Sequence, residues 1–211
     1  MGDALEARIR ERLLPLDAYD PVARRIHSDL SRPPSDWLAP EGPLQPAAVL
    51  VPLVERPEGL SVILTLRAAS LRRHSGQIAF PGGRAEPGEA PWEAALREAQ
   101  EEIALDPGFV RVAGLGDTYD TVTGYAITPV VGFVREGFRL SPQEAEVAEI
   151  FEEPFSFLMD PLNHERRSRD FGDGRVRRYF AIPHEDRPHD DRLIWGVTAG
   201  IVRMLYERLY G

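Results

Sequence analysis

One stretch is decisive for the fold of this 211-residue chain: Pro91-Trp92-Glu93-Ala94-Ala95-Leu96-Arg97-Glu98-Ala99-Gln100-Glu101-Glu102-Ile103. No residue after Pro91 breaks a helix, and proline suits the first helical position because its missing N–H needs no partner there. Apolar side chains recur at spacings of four, three and four residues, which places them in one stripe along a helix. They are Trp92, Leu96, Ala99 and Ile103. The stretch therefore predicts an amphipathic helix with one buried face.

The same helix carries an acidic face. Glu98, Glu101 and Glu102 occupy positions i, i+3 and i+4, away from the apolar stripe. Like charges at this spacing destabilise an isolated helix by roughly a few tenths of a kcal/mol per pair. A hard divalent cation reverses that effect, because Mg²⁺ and Mn²⁺ prefer anionic oxygen ligands. The face is therefore either a solvated surface or a metal site, and the flanking sequence decides between them.

Composition restricts the classes of function. The hydrophobic content of 43% and the charged content of 28% are ordinary for one globular domain. Cysteine is absent, which excludes disulfides, thiol catalysis and zinc–thiolate sites. All 25 basic residues are arginine, which excludes Schiff-base lysines and a P-loop lysine. The net charge of −9 argues against a nucleic-acid polymer as partner. No signal peptide or long apolar run is visible, so we expect a cytoplasmic protein without membrane contact.

The acidic helix belongs to a longer pattern. Gly83, five residues, Glu89, seven residues and then Arg97-Glu98-Ala99-Gln100-Glu101-Glu102-Ile103-Ala104-Leu105 resembles the Nudix box, with every polar position filled. The one departure is Ala104, where the family usually has glycine. Glycine lets a helix end in a left-handed turn. Its absence leaves open a helix that runs on toward Asp106-Pro107-Gly108.

A second motif lies upstream of the glycine turn. Leu64-Thr65-Leu66-Arg67-Ala68, then Arg72, Gly76 and Phe80-Pro81-Gly82-Gly83, is similar to the extra motif of coenzyme A pyrophosphatases within the Nudix superfamily. Ile63 replaces a leucine of that motif. The resemblance to the Nudix box indicates the fold and the reaction, and this second motif narrows the choice of substrate.

The resemblance implies an α/β fold: a Nudix-type α/β/α sandwich around a mixed β-sheet, with an N-terminal helical extension. We expect the extension and a linker over residues 1–40 and the Nudix domain over residues 41–211. The apolar run from Ala48 to Val54 also predicts a sheet that is covered on both faces. Helices are predicted at 3–14, 20–30 and 195–209, and strands at 47–55, 60–67, 110–115, 125–134 and 175–182; residues 144–151 are ambiguous. The first helix is predicted to pack on the domain or to form a homodimer contact.

Metal binding by carboxylates follows from the same resemblance. The predicted cofactor is Mg²⁺ or Mn²⁺, which neutralises phosphoryl oxygens and activates water. The predicted ligands are Glu98, Glu102, Glu101, Glu89 and the carbonyl of Gly83. Arg97 and Glu101 are also predicted to act in catalysis, Arg97 by orienting a glutamate through an ion pair.

The general base is predicted to lie outside the Nudix box. Glu146 is the candidate, because Glu-Val followed by an aromatic residue and a proline resembles the matching segment of the coenzyme A group. Glu144 and Glu149 compete with it. The predicted substrate-binding residues are Arg67, Arg72 and Gly82, since arginine forks match phosphate oxygens.

These predictions lead to one reaction and two alternatives. The resemblance implies metal-dependent hydrolysis of the diphosphate of coenzyme A or its derivatives, to adenosine 3′,5′-bisphosphate and 4′-phosphopantetheine. One alternative is a pyrophosphatase acting on ADP-ribose or another nucleoside-diphosphate derivative. The other is a Nudix-fold module that binds a nucleotide without cleaving it. Retention of all the box glutamates favours the enzymes over the module.

Overall fold

The computed structural model describes residues 2–21, 26–28, 42–69, 76–170, 176–183 and 192–211. The helices are α1 (Gly2–Arg12), α2 (Pro91–Ile103), α3 (Phe155–Leu158) and α4 (Val197–Tyr210). The strands of the larger sheet are β1 (Ile26–Ser28), β2 (Gln45–Arg56), β3 (Gly59–Arg67), β4 (Ile78–Ala79), β5 (Gly82–Arg84), β6 (Val110–Leu115), β7 (Thr118–Asp120), β8 (Tyr125–Val134) and β9 (Val147–Pro154). A smaller sheet contains β10 (Glu165–Asp170), β11 (Val176–Pro183) and β12 (Leu193–Trp195).

The larger sheet is mixed. Its main path runs β1-β7-β8-β2-β3-β4, and β5, β6 and β9 pair with β2, β8 and β3 respectively. The pairs β1–β7 and β2–β8 are parallel, and the other pairs are antiparallel. Five of the predicted strands correspond to β2, β3, β6, β8 and β11. The ambiguous residues 144–151 overlap β9, a strand.

Strand β2 shows why the sheet needs a helix on each face. Successive side chains of a strand point to opposite faces. Ala48, Leu50 and Val54 join the core cluster that contains α2, whereas Val51 and Leu53 join the cluster that contains α4. The strand is apolar at both sets of positions, so both faces must be covered. The predicted α/β/α sandwich around a mixed sheet is confirmed.

The N-terminal segment packs onto this sandwich. Ile9 and Leu13 are buried in the cluster that contains α4, and Leu14 forms two backbone hydrogen bonds with Leu115, at 2.9 and 2.8 Å. The predicted first helix is confirmed, while a homodimer contact and the boundary at residues 40 and 41 remain predictions.

The predicted helix over residues 20–30 is wrong where the chain is described. Residues 26–28 form strand β1, which pairs in parallel with β7. The helical prediction used local sequence alone, whereas the free edge of β7 supplies backbone hydrogen-bond partners from a distant part of the chain. Residues 22–25 and 29–30 lie outside the described ranges.

Helix α2 begins at a local cap and ends at a left-handed residue. The Ala90 N–H donates to the carboxylate of Glu93 at 2.9 Å, ahead of Pro91 at the first helical position. The helix ends at Ile103 because Ala104 adopts a left-handed conformation, with φ 55° and ψ 26°. A longer helix toward residues 106–108 is therefore wrong.

Burial of the next side chain explains this helix end. The turn at Ala104 returns Leu105 to the core, where it is 1% exposed. Burying a leucine side chain contributes about 1.5–3 kcal/mol, which is enough to offset most or all of the roughly 1–2 kcal/mol cost of a left-handed alanine. The core therefore imposes a backbone conformation that the sequence does not favour.

We predict that Ala104→Gly increases the free energy of unfolding by about 0.5–1 kcal/mol, because glycine adopts positive φ without steric cost. Urea unfolding would measure the change. Ala18→Gly is the matched control, since Ala18 is exposed and lies outside the positive-φ positions; it should lower stability. Equal effects of the two substitutions would contradict the explanation.

Candidate metal and catalytic site

The site forms where β2 and β3 separate. These strands pair directly only between Leu53–Arg56 and Gly59–Val62. Beyond that point β5 pairs with β2 and β4 pairs with β3, and the short connection between β4 and β5 crosses the opening. The Leu50 N–H donates to the carbonyl oxygen of Pro81 at 2.8 Å, which holds this connection against β2. Gly82 and Gly83 therefore lie beside α2.

Gly82 binds the carboxylate of Glu102 through its backbone. Its N–H donates to Glu102 Oε2 at 3.0 Å. A Cβ atom at Gly82 would lie 2.6 Å from the Cα of Val49, so only glycine allows this approach to β2. The Glu102 residue is 5% exposed. Burial raises the pKa of Glu102 to about 7, although the Gly82 hydrogen bond and the nearby charge of Arg67 lower it.

Glu98 occupies the equivalent place beside the second glycine. A Cβ atom at Gly83 would lie 2.6 Å from Glu98 Oε2, so the glycine leaves room for the carboxylate. Burial raises the pKa of Glu98, Arg97 opposes this, and the charges of Glu101 and Glu146 raise it further. Glu98 and Glu102 thus form a desolvated pair of acids that repel each other.

Arg97 connects the remaining acids. Its Nε and Nη2 atoms donate to the two carboxylate oxygens of Glu89 at 2.9 and 3.1 Å, and its Nη1 atom donates to Glu98 at 2.9 Å and Glu101 at 3.2 Å. Nη2 also donates to the carbonyl of Arg84 at 3.0 Å. The pKa of Arg97 is raised by these partners, and the pKa of Glu89 is lowered by Arg97. Arg97 thus makes the predicted ion pairs.

The predicted metal ligands differ in their hydrogen bonding and in their exposure to solvent. Both oxygens of Glu89 are engaged by Arg97, and Glu101 is exposed, with 60% of its side-chain area in solvent. Among the described residues, no three histidine, cysteine, aspartate or glutamate side chains are gathered into a preformed metal cage. Glu98 and Glu102 nevertheless fit a hard cation, because their oxygens are anionic, desolvated and adjacent to a glycine cradle. Metal binding by these residues remains a prediction.

Arg67 lies on the other side of Glu102. Its Nη1 atom is 3.7 Å from Glu102 Oε1, a long ion pair that leaves donors uncommitted. Its Nε atom is buried and has no hydrogen-bond partner within the described part of the chain. Burying such a donor is unfavourable unless a further acceptor binds there. Arg72, the other predicted substrate arginine, lies outside the described residues.

Glu146 approaches the same site from a later loop. Its carbonyl oxygen accepts the Ala68 N–H at 2.8 Å, and its charge contributes to the raised pKa of both Glu98 and Glu102. The competing Glu149 forms an ion pair with Arg192 at 2.8 Å. The position of Glu146 near Glu98 and Glu102 thus favours it over Glu149 as the general base. The role of Glu146 as base remains a prediction.

Sequence reasoning missed two backbone groups that build the site. The Gly82 N–H binds Glu102, and the Arg84 carbonyl holds Arg97. The paired glycines were a visible signal, but a sequence pattern does not show which N–H meets which carboxylate. Contact of Gly82 with substrate remains a prediction. None of the described helices has the length and apolar content of a membrane span.

Comparison with known proteins matches the chain to a family model, to relatives and to solved structures. A family model described as NUDIX domain matches residues 43–180. The protein named uncharacterized Nudix hydrolase NudL of Pectobacterium atrosepticum is 41% identical over 182 residues, covering 83% of this chain and 88% of that protein. NudL of Escherichia coli O7:K1 is 40% identical over 165 residues, covering 75% and 80%. A solved Ap4A hydrolase complex from C. elegans is 20% identical with a TM-score of 0.46, covering 52% of this chain and 80% of that one.

The raised pKa of Glu102 predicts a pH-dependent stability. An acid whose pKa rises on folding stabilises the fold while it is protonated. That contribution is fully present below the ordinary pKa of 4.5 and is lost as the pH rises through about 7. For the protein in EDTA, we expect the free energy of unfolding to fall across this window, with Glu102 contributing up to about 3 kcal/mol. Urea titrations from pH 4 to 8 would measure it.

Glu102→Gln is the control for this titration. It removes the ionisable group while retaining an oxygen that can accept the Gly82 N–H, so the pH slope should flatten. The same slope in the variant as in the unmodified protein would contradict the assignment to Glu102.

Proposed function

We propose that this chain, which belongs to the Nudix hydrolase family, hydrolyses the diphosphate bond of coenzyme A or a coenzyme A derivative. Family membership makes it a hydrolase of phosphorus-containing anhydrides. The reaction proposed here releases adenosine 3′,5′-bisphosphate and 4′-phosphopantetheine, or its acylated form. The observation that carries the reaction class is the desolvated pair Glu98 and Glu102 beside the glycine turn. The motif around Arg67 carries the substrate assignment.

The acids of α2 would hold the metal. Glu98 and Glu102 are the principal ligands in this proposal, and Glu101, Glu89 and the Gly83 carbonyl complete the predicted set. Nudix hydrolases generally use Mg²⁺ or Mn²⁺, which when bound neutralises phosphoryl charge and activates water for in-line attack. The ion would also remove the repulsion that raises the pKa of Glu98 and Glu102.

Arg97 acts on the acids rather than on the substrate. It holds Glu89 in a bidentate pair and fixes the orientation of Glu98 at 2.9 Å. A bidentate guanidinium–carboxylate pair sets direction as well as distance. Arg97 is in turn held by the Arg84 carbonyl of strand β5. Helix α2 and the glycine turn therefore present the carboxylates as one unit.

Glu146 is the proposed general base. It is exposed, while its backbone is held by Ala68 beside Arg67. A carboxylate oxygen of Glu146 accepts a proton from water as the water oxygen attacks phosphorus. The bond from that phosphorus to the bridging oxygen then breaks, and the leaving phosphate retains the electron pair. The remaining charge on the phosphates requires the cation and nearby arginines.

Arg67 is the proposed diphosphate contact. It lies next to Glu102, and its buried Nε atom has no acceptor in the described part of the chain. A phosphate of the substrate that binds beside Glu102 would supply that acceptor. The ribose 3′-phosphate of coenzyme A lies farther from the reacting bond, and we assign it to Arg72. This division of roles separates coenzyme A from the alternative substrate ADP-ribose, which has the diphosphate but lacks the 3′-phosphate.

We predict that Glu98→Gln lowers kcat at least about a hundredfold with saturating Mg²⁺ or Mn²⁺, because the desolvated ligand charge is lost. Release of adenosine 3′,5′-bisphosphate from coenzyme A would be measured. Glu93→Gln is the matched control on the same helix, since it removes a charge outside the cluster and keeps the oxygen that accepts the Ala90 N–H. A near-normal rate in Glu98→Gln would favour the binding-module alternative.

The two arginines are predicted to have different effects on specificity. Arg67→Ala should raise KM about tenfold for both coenzyme A and dephospho-coenzyme A, since both contain the diphosphate. Arg72→Ala should raise KM for coenzyme A alone. Arg12→Ala, on the distant helix α1, serves as the control for general loss of positive charge. Equal kcat/KM of the unmodified protein for coenzyme A, dephospho-coenzyme A and ADP-ribose would remove the coenzyme A assignment.

A further inference from the structure

The loop between β8 and β9 is anchored on the end of α2. A helix leaves its last carbonyl oxygens without partners inside the helix. Here the N–H of Ser141 donates to the carbonyl oxygen of Ile103 at 3.0 Å, and the N–H of Gln143 donates to that of Glu102 at 2.8 Å. The place where α2 ends therefore determines where the loop lies.

Gln143 is at the centre of the turn that leads to Glu146. Its side-chain Oε1 atom accepts the N–H of Ala145 at 2.7 Å. Its carbonyl oxygen accepts the N–H groups of Glu146 and Val147, both at 2.9 Å. The N–H of Gln143 in turn donates to the Glu102 carbonyl oxygen. These contacts connect the turn to Glu102, which is a predicted metal ligand.

The far side of the turn is held by the sheet. The Glu146 carbonyl oxygen accepts the Ala68 N–H at 2.8 Å, directly after Arg67. Val147 then begins β9 and pairs with Arg67 across a β-bulge. The backbone of Glu146 is therefore fixed on both sides, while its side chain is exposed. A fixed backbone sets the direction of the Cα–Cβ bond of Glu146 and so limits the region of space that its carboxylate can reach.

We propose that Gln143 is a positioning residue that places the Glu146 carboxylate relative to Glu98 and Glu102. The inference rests on the proposed function, in which Glu146 accepts the proton of the attacking water. Gln143 touches neither substrate nor metal in this arrangement and acts through the turn. Its bond to Ala145 joins residue i to residue i+2, the pattern that asparagine and aspartate side chains form in Asx turns. A shorter amide at this position can therefore take its place.

A double-mutant cycle tests this inference. Gln143→Ala should lower kcat about tenfold and leave KM within about twofold, because the base is displaced while substrate binding is retained. In the Glu146→Gln background, the same substitution should lower kcat by less than about a further twofold, since the group it positions is already absent. The cycle is measured on whichever of coenzyme A and ADP-ribose the unmodified protein cleaves.

Two variants and one structural measurement complete the design. Gln143→Asn should retain at least about half of the kcat of the unmodified protein, because asparagine can form an Asx turn here. Gln100→Ala, which removes an exposed amide from α2, should leave kcat unchanged. Independently of catalysis, NMR hydrogen exchange of the Ala145 amide should accelerate about tenfold in Gln143→Ala, with the thermal midpoint within about 2 °C.

The outcomes separate this inference from the proposed function. Equal losses of kcat in both backgrounds, or unchanged exchange at Ala145, would overturn the positioning role. A near-normal kcat of Glu146→Gln alone would overturn the assignment of the base, and the positioning role with it. Cleavage of ADP-ribose without cleavage of coenzyme A would remove only the substrate assignment, and the cycle would still decide the role of Gln143.

Discussion

The hydrogen bond from the Gly82 backbone N–H to the buried carboxylate of Glu102 is the contact on which the site depends. It joins the glycine turn, which closes the opening between β2 and β3, to the last turn of α2. The approach requires glycine, because any Cβ at position 82 would meet the backbone of Val49. Gly82 thus meets two requirements at once. It is small enough to lie against β2, and its N–H gives the Glu102 carboxylate a hydrogen-bond donor.

The same acid also connects to the part of the site outside the helix. The Glu102 side chain binds the glycine turn, and its carbonyl oxygen binds the N–H of Gln143 in the later loop. Its charge lies near that of Arg67 on β3. Four segments that are distant in sequence therefore meet around one residue, and the positions of the proposed catalytic groups depend on one another.

The electrostatics of these acids are unfavourable for folding. Burial raises the pKa of both Glu98 and Glu102, and neighbouring carboxylates raise it further. Arg97 offsets part of this cost through Glu89, Glu98 and Glu101. Within the described ranges, Glu102 has only the Gly82 hydrogen bond and a long ion pair with Arg67. Buried charge that the fold leaves partly uncompensated is the property expected of a group that awaits a cation.

The amino-acid sequence determined the helix with its acidic face, the two-sided burial of β2 and the acidic side chains that lie beside the glycine turn. Helical and strand periodicities are local, and the Nudix resemblance is carried by side chains. Tertiary structure alone decided the end of α2 at Ala104, where the burial of Leu105 outweighs the backbone preference of alanine. It also decided the strand at residues 26–28, which depends on the edge of β7, and the contacts of the Gly82 N–H, the Arg84 carbonyl and Gln143. Apart from the bond that the Gln143 side chain accepts from Ala145, those contacts are made by backbone groups that every residue except proline possesses in full. Which of these groups meet depends on how the chain folds and leaves no pattern in the sequence.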